Sequence, residues 1–472
     1  MIKKITKGII SFFILIILLI PQIMVQTGCA NIVPPSGGPR DSLPPVLIKA
    51  TPGDSAKNFT GNRIVFSFDE FIDIQNPAEN LIVSPIPKNF PDVNYKLNTV
   101  TVKLKDTLEP NTTYSLNFGK TIKDYNEGNV LKNFTYVFST GNSIDSLELR
   151  GKVILAEDGK IDSTMIVMLH RNGDDSAVIK DRPRYITRLD NKGNFIFKNL
   201  PSGTFYLYAL KDMGGGHRYT DSTQLFAFAD KPVITSQKNK PDTLYAFAKK
   251  AASQPQVLPN IRGARESADR RLRFQTNLVS NKLDLLDNFT VTFDQVLRSF
   301  DSTKVQFSSD STFSPITNYY FEKDGARKKI TLHYAWKENT LYHLILDKEF
   351  AEDSTGKKLL RTDTLSFTTR KLYEYGNLNI HFRNLDLSVN PVLLFTQNGE
   401  IKRSFPLSSA DFSQSIFLPG DYELRILNDA NKNGKWDPGE FFGKHKQPEI
   451  VKPVERRITV KPGNENDFEI AL

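Results

Sequence analysis

Residues 62–71, NRIVFSFDEF, place apolar side chains at every second position, and residues 288–297, NFTVTFDQVL, do the same. A period of two puts those side chains on one face, as a half-buried β-strand requires. Further along come two strands centred on a tyrosine, EPNTTYSLNF at 109–118 and KENTLYHLIL at 337–346, then FTYVFSTG at 134–141 and TLSFTTR at 364–370. No stretch holds a helical spacing of apolar residues for the length of a helix. With 26 Pro and 27 Gly spread along the 472 residues, the pattern predicts short strands joined by turns, an all-β chain.

These segments repeat. Tyr114 to Gly128 and Tyr342 to Gly356 are both 14 residues apart, and the preceding strands lead to Asp69 and Asp294 respectively. A second unit is duplicated as LPSGTFYLYALKD at 200–212 and LPGDYELRILND at 418–429, with Phe205/Tyr422, Leu207/Leu424 and Leu210/Leu427 in register. One fold occurring twice, interleaved with another occurring twice, gives the order A-B-A-B. The expected boundaries are a first A unit at 46–143, a first B unit at 147–250, a linker at 251–264, a second A unit at 265–371 and a second B unit at 373–472. Units of about 100 residues with turn-spaced strands suit small β-sandwiches, so the expected architecture is a rod of four.

The A units resemble bacterial Ig-like domains of the S-layer-protein type. The first copy carries that pattern in Pro44, Pro45, Phe66, Phe68, Asp69, Leu108, Pro110, Thr113, Tyr114, Asp124, Gly128, Asn129 and Phe138. The second departs from it, with Lys337 in place of the proline and Lys357 in place of the asparagine. The first B unit, with RGKVILAEDGK and DNKGNFIFKNLPSGTFYL, is similar to carboxypeptidase regulatory-like, or prealbumin-like, β-sandwiches, and the second keeps the latter half of that pattern. Such arrangements resemble cell-envelope lipoproteins of Bacteroidetes-like bacteria. Both modules are generic scaffolds, so the fold does not name an activity.

The N-terminus reads as an address. Lys3, Lys4 and Lys7 precede an apolar run at 9–20, and Pro21 ends it short of the roughly 20 residues that a spanning helix needs. Residues 1–28 are therefore expected to be a signal peptide, followed by a Pro/Gly/Ser tether at 29–45. The chain's one cysteine, Cys29, stands at the cleavage point and resembles a lipobox cysteine, with Gln26 where most lipoboxes carry Leu. The resemblance implies acylation of Cys29 and attachment to a membrane surface by lipid. The other reading is a soluble secreted protein with an incidental cysteine.

Residues 429–440, DANKNGKWDPGE, fit the spacing of a calcium loop. Asp429, Asn431 and Asn433 offer side-chain oxygens at alternate positions, Lys435 a backbone carbonyl, Asp437 a direct or water-bridged oxygen and Glu440 a carboxylate able to bind through both oxygens. Gly434 permits the sharp turn. An Asn/Gly-rich turn without metal would use the same residues. The corresponding loop of the first B unit, DMGGGHRYTDST, keeps Asp212 but has Gly214 and Gly216 at the next two ligand positions, so a structural Ca²⁺ is expected at the second loop alone.

Composition narrows the rest. A single cysteine excludes an intramolecular disulfide and a cysteine-based zinc site. The formal charge of +9 falls by three with the signal peptide, and acids and bases are interspersed, so no nucleic-acid partner is expected. There is no HExxH, GxSxG, P-loop or GxGxxG, and the six histidines are scattered, so no enzyme is expected. Asp-Ser or Asp-Thr followed by Ala, Leu or Thr occurs twelve times. This resembles the acceptor sequence for O-glycosylation of secreted Bacteroidetes proteins, and also the composition of ordinary turns. The expected function is a lipid-anchored outer-membrane scaffold that presents binding surfaces to an envelope protein or glycan partner. The alternative is a carbohydrate-binding accessory of a polysaccharide-uptake system.

Overall fold

The computed structural model describes residues 40–236, 242–249 and 271–472. The signal peptide, Cys29, most of the tether and the 251–264 linker lie outside them. The chain divides into two compact units, one of residues up to Val83 with Pro87–Ile144, the other of Ser84–Ile86 with Asp145–Leu472. Architecture is all-β, a tandem series of sandwiches. Among the described residues no helix is long and apolar enough to cross a membrane.

The first compact unit holds the first A sandwich. One sheet runs Leu47–Thr51, Arg63–Phe68, Thr99–Lys103, Asp92–Lys96, and the facing sheet contains Thr113–Asn117 paired with Thr135–Ser139. The alternation in Arg63–Phe68 buries Ile64, Phe66 and Phe68, which meet Leu116, Phe118, Tyr136 and Phe138 from the other side. Phe66 lies edge-on to Tyr136 with ring centroids 5.1 Å apart.

The second A sandwich repeats the plan. Its sheet of Phe274–Thr276, Phe289–Phe293, Lys329–His333 and Tyr320–Lys323 has the same strand order, and Phe289, Val291 and Phe293 take the buried places. The repeat extends to single hydrogen bonds. Glu109 N–H donates to the hydroxyl of Tyr114 at 2.9 Å and Lys337 N–H to that of Tyr342 at 3.2 Å, which fixes the same corner before the same strand and corrects the expected alignment: Lys337 corresponds to Glu109, and Glu338 stands where the first copy has Pro110. Gly128 and Gly356 both hold φ near +80°, a conformation that a side chain would strain.

Both B units share one sandwich topology. In the first, Leu147–Leu155 lies between Asn194–Leu200 and a parallel Asp242–Ala246, facing a sheet ordered Tyr185–Arg188, Ile166–His170, Thr204–Leu210, Phe226–Phe228. In the second, Gly376–Arg383 lies between Asp411–Phe417 and a parallel Glu465–Ala471, facing Glu400–Pro406, Pro391–Gln397, Gly420–Asn428, Ile450–Val460. The second B unit thus keeps the whole strand plan although its sequence shares only half the motif, because strand order depends on which faces are apolar and not on which apolar residue supplies them.

The Asp-Ser-Thr copies of the repeated tripeptide have one local structure. At Asp162, Asp221, Asp301, Asp310 and Asp353 one carboxylate oxygen accepts both the N–H and the hydroxyl of the threonine two residues on. That is an Asx-type turn. The intervening serine is exposed in all five.

Candidate functional site

The strand Gly420–Asn428 delivers Asp429 into a buried position at the mouth of the loop. Its Oδ2 accepts the N–H of Gly434 at 2.7 Å and its Oδ1 that of Asn433 at 3.2 Å, so the loop is wound around this carboxylate. Asn431 and Asn433 both turn their amides to Oδ2 of Asp437, the latter at 2.8 Å. Asn433 Oδ1 also accepts the N–H of Lys435 at 2.7 Å. Four of the expected side chains, Asp429, Asn431, Asn433 and Asp437, therefore converge.

Glu440 does not join them. Its carboxylate lies 2.9 Å from Nζ of Lys444, and that lysine holds it below the ordinary carboxylate range. A residue outside the motif closes the loop instead. The buried carboxylate of Glu449 accepts the N–H of Ala430 through Oε1 at 2.9 Å and that of Asp437 through Oε2 at 3.0 Å, tying the two ends together. Oxygen donors of this type suit a hard cation such as calcium. Among the described residues, however, no group of three or more His, Cys, Asp or Glu side chains is placed to hold a metal ion.

The same loop is an interdomain contact. Phe441 lies against Tyr208, Phe226 and Phe228 of the first B unit at 5.6, 5.2 and 5.1 Å between ring centroids, and Phe442 meets Tyr219 at 5.6 Å. His445 Nε2 is 2.7 Å from Asp175, and Gln447 donates to Asp230 at 2.7 Å. Trp436 packs against apolar clusters of both B units while its indole N–H donates to the carbonyl of Glu449 at 2.7 Å. Gly439 passes so close that a Cβ there would lie 2.7 Å from the ring of Phe247. The two B units are in direct contact although a whole A unit separates them in sequence.

Sequence reasoning missed Glu449, Phe441, Phe442, His445 and Gln447. A signal was present. Ile166–His170, Thr204–Leu210 and Phe226–Phe228 are nearly continuous apolar runs, and the sheet they form is buried on both faces. Val167, Leu169 and Leu207 fill the sandwich core while Met168, Tyr208 and Phe226 face the cluster that receives Phe441. Runs without alternation imply a cover on the second face.

The first B unit's loop is occupied differently. Burial works against ionisation of Asp212, but the N–H of His217, its imidazole at 2.6 Å and the N–H of Gly214 outweigh it and hold the carboxyl below its usual range. Asp221 caps Thr223 and takes no part.

Four histidines face a carboxylate. His333 pairs with Glu322, His381 with Asp411, His445 with Asp175 and His217 with Asp212. His343 Nδ1 is 2.8 Å from the hydroxyl of Ser366, but its Nε2 is buried without a partner, so no acid orients the ring as a triad needs. His170 is buried edge-on to Tyr208, and burial pushes its imidazole down to about 4 against the counter-pull of Asp181.

Residues 41–140 match the family model of a bacterial Ig-like domain. No curated protein matches the chain. Among solved structures it is similar to the major pilin subunit BcpA of Bacillus cereus, at 10% identity over 69% of this chain and 99% of that one with a TM-score of 0.17. It is also similar to the Bacillus anthracis TIE protein, at 11% identity over 93% and 75% with a TM-score of 0.17. The S-layer protein SbsC matches at 12% identity over 90% of this chain and 54% of that one, with a TM-score of 0.16. Scores of this size carry no inference about this chain.

Proposed function

We propose that this is a non-catalytic scaffold of the bacterial cell envelope, acylated at Cys29 and held on the outer membrane, whose prealbumin-like B units form one presenting body for an envelope protein partner. The observation that carries the reading is the seam at 429–449. This polar loop spends Phe441, Trp436 and His445 on fixing one sandwich to another and leaves none of them free for a substrate. The bacterial Ig-like domain at 41–140 and the paired, buried or acid-locked histidines support the same reading. Calcium is part of the proposal: bound by Asp429, Asn431, Asn433, Asp437 and the carbonyl of Lys435, with Glu440 leaving Lys444 to complete the shell, it would stiffen the loop that makes the seam. With two carboxylates in the converged set, affinity falls in the weak range of extracellular modules.

A glycan partner is the second reading, favoured by Tyr320, an exposed ring stacked parallel on His333 at 4.5 Å on the outer sheet of the second A unit. Exposed aromatic faces of this kind receive sugar rings.

Cell fractionation tests the anchor. Cys29→Ser is expected to move the protein into the soluble fraction, and a variant that is cleaved normally yet stays in the membrane pellet overturns it. Cross-linking in envelopes and mass spectrometry of what co-purifies separates the two partners: a recurrent envelope protein supports the scaffold, and glycan capture lost in Tyr320→Ala supports the second reading.

A further inference from the structure

The first A sandwich carries an apolar patch beside the point where the tether enters. Phe71, Tyr95, Leu97 and Tyr125 are 52%, 48%, 60% and 68% exposed in a domain whose other large apolar side chains mostly fill its core. They are neighbours through the backbone: Tyr125 N–H donates to the carbonyl of Phe71 at 2.9 Å, and Ile72 N–H to that of Leu97 at 2.9 Å. Ile72 points inward and is buried, which sends Phe71 and Tyr125 to the outer face of the Ile72–Ile74 and Ile122–Asp124 pair. Tyr95 is pinned on that face by its hydroxyl, which donates to Asp73 at 3.0 Å, and Lys123 pairs with the same carboxylate at 3.3 Å.

The tether ends at this patch. Arg40 donates to the carbonyl of Glu127 at 3.2 Å, two residues beyond Tyr125, and the amide of Asn129 donates to the carbonyl of Asp41 at 3.1 Å. Arg40 stands eleven positions after Cys29. At about 3.3 Å per residue they reach at most roughly 35 Å, so an acylated Cys29 keeps this face within one membrane thickness of the lipid.

We infer that Phe71, Tyr95, Leu97 and Tyr125 form a seat that rests on the bilayer surface, so that the protein is held by its lipid and by this face together. The inference rests on the anchoring reading above. Two tyrosines with a phenylalanine and a leucine are the side chains that partition to the headgroup boundary, apolar ring inward and hydroxyl toward water. Charge around it is mixed, with Lys123 beside Tyr125 and Lys96 between Tyr95 and Leu97, and with Asp69 and Glu70 just before Phe71. The seat therefore fits the zwitterionic headgroups of a bilayer such as one of phosphatidylethanolamine.

The test uses the full-length acylated protein reconstituted into phosphatidylcholine/phosphatidylethanolamine vesicles, some with brominated acyl chains that quench tryptophan on contact. In Tyr125→Trp, the emission added to that of Trp336 and Trp436 is expected to be roughly halved by brominated lipid. Tyr320→Trp, the same change on the second A unit, is the comparison and is expected to stay bright. Adding Phe71→Ser and Leu97→Ser to Tyr125→Trp restores the emission. Vesicles that float with the protein while the emission added by Tyr125→Trp stays unquenched overturn the seat and leave the anchor standing, with the patch then serving a protein partner. Protein that does not float overturns the anchor and the seat with it.

Discussion

The loops after the fifth strand of the two B units begin with the same aspartate and end in opposite ways. Asp212 is consumed by His217 and Gly214 in a short glycine-rich turn, whereas Asp429 opens a long excursion to Glu449 that binds its own ends together and covers the outer face of the other B unit. Strand order around them is identical. A shared sandwich therefore leaves its loops free to diverge, and one copy has supplied the contact surface while the other has supplied the surface contacted.

Four experiments break or sharpen this comparison. The largest effect is expected for Phe441→Ala, which empties the pocket made by Tyr208, Phe226 and Phe228. Burial losses of this size cost about 3–5 kcal/mol, and the B units should then unfold in separate denaturant transitions where the parent shows a shared one. A single transition of unchanged midpoint would mean that the seam contributes nothing to stability.

His170 gives the next. It pairs across the sheet with Tyr206, and the second B unit has Thr396 opposite Glu423 at the equivalent place, so only the first copy carries an imidazole there. The folded chain holds this imidazole near 4 and the unfolded chain near 6.5, so the unfolded state binds more protons between those values. Stability is fully present above about pH 6.5 and falls as the pH drops toward 4, by up to roughly 3 kcal/mol. Urea midpoints measured across that window should lose this slope in His170→Thr, and an unchanged slope would assign the pH dependence to other groups.

Glu449→Ala leaves two loop N–H groups without their acceptor and should cost about 1–3 kcal/mol. Glu440→Ala, which removes only a solvent-screened pair with Lys444, should shift the denaturant midpoint far less in the absence of calcium. Equal losses would return the closing role to Glu440. The smallest effect is calcium itself. About 1 mM Ca²⁺ against a Kd near 0.1 mM adds roughly 1.4 kcal/mol. Calorimetry with calcium and with chelator should show that shift in the parent and not in Glu440→Gln. Superimposable melts would leave DANKNGKWDPGE a metal-free brace.

The all-β class and the duplication were legible in the chain because both live in local periodicity. Ile64, Phe66 and Phe68 and their counterparts Phe289, Val291 and Phe293 alternate, and alternation fixes which face is buried wherever the strand is placed. The corner at Tyr114 and Tyr342 was readable for the same reason, since donor and acceptor are five residues apart. The winding of Asp429 around Asn433 and Gly434 is likewise a contact of short range, which a spacing motif can encode.

Glu449 was invisible because it stands far along the chain from Asp429 behind an irregular Pro-rich stretch, and no local rule says which of several acids will reach back. Glu440 had both the loop and Lys444 within a few residues; in the fold its backbone pairs with Lys446 at 2.8 Å and its carboxylate with Lys444. The contact of Phe441 with Tyr208 joins two units that a whole A domain separates in sequence. Its two halves were written as an aromatic pair in a polar loop and a sheet apolar on both faces, and neither states its partner. Burial is non-directional and rewards any complementary apolar surface, so pairing these two over the heads of the intervening A unit was left to the folded chain as a whole.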